Sequence, residues 1–201
     1  MKKIIPVLLL LMAPALCFSS SAGVTSVFDI GTSVRAQSLG GAFTAVPDDA
    51  AAVYYNPGAL NTLTKFQVQT AYMPLFYDTT YDYAAAALPT VDIGSFGASI
   101  AMINTGSIFL RDENGIILSE TNQSLMEIIG AWSKELPIES LSAGLSIKLD
   151  YNDLANYADN LSFGMDFGMY YKAISETSQE LNTGFIIKNI IEPDIKLSAT
   201  S

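Results

Sequence analysis

Two stretches of this chain alternate so regularly between apolar and polar residues that their faces must meet unlike surroundings. In residues 141–152 the odd positions are Leu141, Ala143, Leu145, Ile147, Leu149 and Tyr151. The even positions are Ser142, Gly144, Ser146, Lys148, Asp150 and Asn152. Residues 161–172 repeat the pattern, with Leu161, Phe163, Met165, Phe167, Met169 and Tyr171 set against Ser162, Gly164, Asp166, Gly168, Tyr170 and Lys172. A period of two belongs to strands and not to helices. Residues 66–73, 81–88, 94–103, 124–136 and 181–190 carry weaker versions, so seven strands are expected. Most are close to the ~9–11 residues that cross a bilayer as tilted β-structure.

The links sharpen this expectation. Those at 89–93 and 137–140 are short, while those at 104–123 and 153–160 are longer, polar and rich in Asn, Asp and Gly. Such alternation suits a barrel with tight turns at one end and longer loops at the other. The short link near Asp78 and Thr79 and the intermediate one at 173–180 fit less well. Large aliphatic and aromatic residues on one face, with Ser, Gly, Asp and Lys on the other, match a lipid-facing exterior and a wet lumen. Tyr151, Tyr170 and Tyr171, near strand ends, are expected in the interfacial girdle. A secreted soluble β-sandwich also alternates and stays as an alternative.

Composition agrees with a membrane strand protein. Charged residues make up 15% of the 201 and hydrophobic ones 50%, against about a quarter charged in ordinary soluble domains. No stretch beyond the N-terminus reaches the ~20 apolar residues of a spanning helix. At the N-terminus, Lys2 and Lys3 precede an apolar run from Ile4 to Leu16, and Ser20, Ser21 and Ala22 supply small residues for cleavage. Residues 1–22 therefore read as a secretory signal peptide cut after Ala22. Cys17 follows Leu16, not the small residue that a lipidation site wants.

Cleavage leaves a chain with no cysteine and, since there is none anywhere, no histidine. The commonest general base, metal ligand and thiol nucleophile are all missing. Eight basic residues then face 20 acidic ones, a net charge of −12 with no basic cluster, which argues against a nucleic-acid partner. The carboxylates around Asp112 and at 150–159 read as turn chemistry. A calcium loop beginning at Asp150 would need a third ligand where Leu154 stands. No enzyme activity, metal or cofactor is expected.

Between signal and strands lies a stretch of another kind. Residues 28–63, FDIGTSVRAQSLGGAFTAVPDDAAAVYYNPGALNTL, are small and glycine-punctuated, with a turn at Asn56-Pro57-Gly58. Ile30-Gly31, Arg35-Ala36, Leu39-Gly40-Gly41-Ala42-Phe43, Asp48-Asp49-Ala50, Tyr54, Asn56-Pro57 and Leu60 form a pattern that resembles the N-terminal region of FadL-like outer-membrane proteins, most closely their PorV/PorQ-type branch. Residues 162–171 and a turn at Ile187-Lys188-Asn189 also look like later elements of that group. The family reads Asn-Pro-Ala-Gly where this chain has Asn56-Pro57-Gly58-Ala59.

The resemblance implies an all-β, transmembrane antiparallel β-barrel. Residues 23–64 would be a luminal plug, and residues 65–201 the first seven of about fourteen strands. The chain is thus expected to be the N-terminal half of a longer protein or a fragment. The plug motif comprises Gly31, Arg35, Gly40, Gly41, Asp48, Asp49, Asn56, Pro57 and Gly58. Gly144, Gly164 and Gly168 on the luminal faces are expected to let the plug backbone approach the wall. The implied function is passive transport of hydrophobic or amphiphilic small molecules, such as long-chain fatty acids, across the bacterial outer membrane. Arg35, Lys148 and Lys172 are candidate ligands for a substrate carboxylate, although both lysines could instead pair with Asp150 or Asp166. The alternative partner class is secretion-system proteins, in a PorV-like role at the outer membrane.

Overall fold

The computed structural model describes residues 28, 30–90, 92–154, 158–176 and 179–191. The expected signal peptide, its cleavage site and the end of the chain lie outside the described residues. The chain divides into two compact units, Met1–Ile30 and Gly31–Ser201. Residues 31–63 therefore belong to the same unit as the strands.

Seven strands follow one another in an antiparallel meander: β1 (Gln67–Pro74), β2 (Thr79–Leu88), β3 (Ser95–Arg111), β4 (Ile117–Glu135), β5 (Leu141–Leu154), β6 (Ala158–Glu176) and β7 (Gln179–Ile191). All are neighbours in a single sheet of order β1 to β7. A β-sandwich would divide them between two sheets. No helix among the described residues is long and apolar enough to cross a membrane.

β5 and β6 keep their register because each has one apolar and one polar side, and a one-residue slip would exchange them. From Leu141↔Tyr171 to Leu154↔Ala158, β5 and β6 pair without interruption. The faces are divided opposite to the usual soluble pattern. On β5, Leu145, Ile147 and Leu149 are exposed, whereas Ser146 and Lys148 are buried. On β4 and β6, Ile128, Trp132 and Phe163 are exposed while Glu127, Ser133 and Asp166 are buried. β2 departs from the pattern, with Tyr81, Tyr83, Ala85 and Ala87 on its buried face and Asp82 on the other, and β4 also buries Ile129 and Ala131.

Expectations about four connections are corrected. Residues 104–123, expected as a long loop, continue β3 and β4 as a paired hairpin, leaving only residues 112–116 outside the strands. Threonines and serines pair well in strands, and the antiparallel backbone ladder does not require apolar alternation. Register shifts near Thr105 and Ile108, where Ser107 takes a positive φ of 40°, mark a bulge. Ile187-Lys188-Asn189, expected as a turn, lies inside β7. Asn189 (φ 54°) forms a bulge there, between the Phe167↔Ile187 and Met165↔Ile191 pairs. Likewise β6 and β7 extend through most of the expected link at 173–180, and β5 and β6 pair through both ends of the longer one expected at 153–160.

Tyr170 is a correction of another kind. It is buried on the inward face, while its neighbour Tyr171 is exposed on the outward one. Adjacent strand residues point to opposite sides, so both cannot join one girdle.

Candidate functional site: the seat of the N-terminal segment

Residues 31–63 form α1 (Val34–Ser38), α2 (Ala52–Tyr55) and a 3-10 turn (Pro57–Thr62). Ser33 caps α1 by accepting from the Ala36 N–H at 3.4 Å. The chain leaves α1 through Gly40 and Gly41, whose φ angles of 66° and 80° suit glycine. Asp49 accepts from the Ala51 N–H at 2.9 Å and so starts α2. Burial pushes the Asp49 carboxyl above its ordinary range, and that backbone hydrogen bond opposes the shift. Ala36, Phe43 and Ala51 form a small core with Tyr55 packed against it. The Phe43 and Tyr55 rings meet edge-on at 5.2 Å.

The second half of the segment is seated on the buried face of the sheet, called the wall below. Asn56 is fully buried and uses its whole amide. Its oxygen accepts from the Gly58 N–H at 3.0 Å, and its nitrogen donates to Thr44 O at 2.8 Å and to Met169 O of β6 at 3.0 Å. Pro57 opens the 3-10 turn, where a missing N–H costs nothing. The Gly58 carbonyl accepts from Ser142 of β5 at 2.8 Å and from Ser133 of β4 at 3.0 Å. Each such bond contributes on the order of 1 kcal/mol net, and more would be lost if a buried partner were orphaned.

The wall leaves room for this contact at Gly144 and Gly168. A Cβ on Gly144 would sit 2.7 Å from Gly58 N, and one on Gly168 would meet Asn56 Oδ1 and Pro57. Gly58 is equally confined, since a Cβ there would lie 2.7 Å from Gly168 O. The Gly58-Ala59 order therefore puts the glycine where backbones touch, while Ala59 is buried. Gly164, expected beside the same segment, is not. Its nearest neighbours are Lys148 and the Ile191 carbonyl, at 3.5–3.6 Å from an added Cβ. The segment crosses the rows of Gly144 and Gly168, which are register partners, and Gly164 lies four residues further along β6.

Every candidate cation has an acidic partner. Arg35 pairs with Asp48 at the surface and lies 5.6 Å from the centre of the Phe43 ring. Lys148 and Asp166 form a buried pair at 2.7 Å, one of the two lysine pairings the sequence allows. Ser146 donates to the same carboxylate at 3.3 Å, and the Asn189 N–H of the β7 bulge does so at 2.8 Å. Lys172 pairs with Glu180 at 3.3 Å. Lys172 and Asp48, with Asn61, Ser142 and Tyr170, line a cavity of about 530 Å³. Arg35 reaches that cavity only through Asp48, and Lys148 is not among its lining residues.

Sequence reasoning missed Ser133, Ser142, Asn189 and Glu127 as site residues. Ser142 carried a signal, being polar on an alternating strand. The others depend on pairing partners up to 75 residues away. No family model matches the chain, and no curated protein or solved structure does either. The resemblance of residues 28–63 to FadL-like proteins therefore stands on the motif residues themselves.

Proposed function

We propose that these seven strands are part of the wall of an outer-membrane β-barrel of the FadL-like kind. Residues 31–63 serve as its luminal plug, and the barrel admits hydrophobic or amphiphilic small molecules. The observation that carries this reading is the division of the faces. Leu145, Ile147, Leu149 and Phe163 face outward together, while Lys148 (4% exposed) and Asp166 (1%) are buried opposite them. In water such a sheet would expose a large apolar surface and bury charge, both unfavourable. In a bilayer the same arrangement is the stable one. The reading requires that the outer edges of β1 and β7 be paired, because lipid leaves no partner for an open ladder.

The test is uptake of a labelled long-chain fatty acid by cells that express or lack the complete gene, with the protein's heat-modifiable migration as a separate check of barrel formation. Expression should raise uptake. A folded barrel that leaves uptake unchanged would overturn the transport part alone.

One observation favours the secretion role as a second reading. Arg35, Lys148 and Lys172 are each held by an acidic partner, so none is poised for a substrate carboxylate. Loss of secreted cargo from a deletion strain, with fatty-acid uptake intact, would select that role.

A further inference from the structure

Glu127 of β4 and Asp150 of β5 are register partners, directly opposite each other across the ladder. Asn152 is two residues beyond Asp150 on the same face and diagonal to Glu127, since its own partner is Leu125. Glu127 is 2% exposed. Its Oε1, the Oδ1 of Asp150 and the Oδ1 of Asn152 are all buried without a hydrogen-bond partner. The lysine nearest in sequence, Lys148, is committed to Asp166 at 2.7 Å. Small residues flank the pair, with Ala101 opposite Glu127 on β3 and Ser162 opposite Asp150 on β6.

Glu127 is buried and Asp150 half-buried, and two adjacent carboxylates so placed repel each other and lose hydration, which the charges of Lys148 and Lys188 offset only in part. Three orphaned oxygen acceptors, two of them anionic, are the donor set of a hard cation. We propose that Glu127, Asp150 and Asn152 form an oxygen-donor site for a divalent cation of the Ca²⁺ class, with the Ser162 hydroxyl within the same row. A linear calcium loop fails at Leu154, but a strand needs no such loop. Pleating puts residues 150 and 152 on one face, and pairing supplies residue 127 from the neighbouring strand. The site stands close to the C-terminal end of β5. It depends on the β4–β5 pairing and not on transport or on closure of the barrel.

Glu127 and Asp150 face each other across the ladder, so a shared proton is the competing occupant. Calorimetric titration of Ca²⁺ into the chelator-treated full-length protein in detergent separates the two. Tb³⁺ luminescence excited through tyrosine gives an independent readout, because Tyr83 stands two strands from Glu127 in the same row. One Ca²⁺ per chain is expected, displacing Tb³⁺. Glu127→Gln and Asp150→Asn should each weaken binding about tenfold or more, and Asn152→Ala less. Asp112→Asn, at the tip of the β3–β4 hairpin, should leave it unchanged. The amide variants keep side-chain shape, and heat-modifiable migration confirms that each has folded. No binding at about 10 mM Ca²⁺, equal binding by the folded variants, or an infrared carboxylic-acid band that Glu127→Gln removes and Ca²⁺ does not alter would each overturn the site.

Discussion

β5 and the 3-10 turn that rests on it use buried polar groups for opposite ends. In the middle of β5 the buried polar side chains are satisfied by those of the neighbouring strand. Lys148 meets Asp166, and Ser146 donates to the same carboxylate. In the turn the buried groups are mostly backbone, and side chains of the wall satisfy them: Ser133 and Ser142 both donate to the Gly58 carbonyl. The segment has almost no core of its own, and its second half is ordered by what it touches. A strand ladder supplies its own hydrogen bonds, whereas a short irregular segment must borrow them.

The largest test of this contrast is Lys148→Ala. It leaves Asp166 buried without its cation, and about 3–5 kcal/mol of stability should be lost, read from the urea midpoint of the folded species. A loss below about 1 kcal/mol would mean that the inner face is hydrated like a surface pair.

Ile147→Lys probes the other side of the same strand. In a bilayer it should cost about 2–4 kcal/mol near the midplane, measured by refolding into lipid vesicles. On a water-facing sheet the change would stay within roughly 0.5 kcal/mol. The variant thus decides which medium the apolar face meets.

The seat is tested by a pair of glycines. Gly168→Ala drives a methyl into Asn56 and Pro57 and should cost about 1–3 kcal/mol. Gly164→Ala, with ordinary contacts around the added carbon, should cost well under that. Denaturant midpoints of the two variants side by side give the answer. Equal effects would show that strand geometry, and not the seated segment, makes glycine necessary.

The smallest effect lies far from both regions. Asp112 accepts from the Ile116 N–H at 2.8 Å and the Asn114 N–H at 2.9 Å. The Ile116 bond is the main cause holding its carboxyl below the ordinary range. A depressed folded value means that the turn is stabilised at pH above the ordinary carboxylate range. That contribution is lost as pH falls through the lowered folded value. The protection factors of the Ile116 and Asn114 amides against hydrogen exchange should fall over that acid range, and Asp112→Asn should abolish the pH dependence of the protection factors.

Much of the wall was legible because it obeys one rule. Leu145, Ile147 and Leu149 against Ser146 and Lys148 announce a strand, its two faces and the residues on each. The rule also explains its failures. Residues 104–123 lack the alternation yet pair as a hairpin, since the ladder there needs only backbone groups. Tyr170 and Tyr171 were read by their nearness to a strand end, although adjacent residues face opposite ways. In the segment, Asn56-Pro57-Gly58 promised a turn, and a 3-10 turn is found. What it would touch depended on wall rows that no local pattern encodes.

The sequence by itself determined that the chain makes antiparallel strands with one apolar and one polar face, because side-chain alternation is a property of neighbouring residues. It also determined that a compact, small-residue segment precedes them. Only the tertiary structure decided that Gly144 and Gly168, and not Gly164, make room for that segment. It likewise decided that Lys148 meets Asp166, and that Glu127 faces Asp150. Those outcomes follow from register, which sets together residues that are distant along the chain.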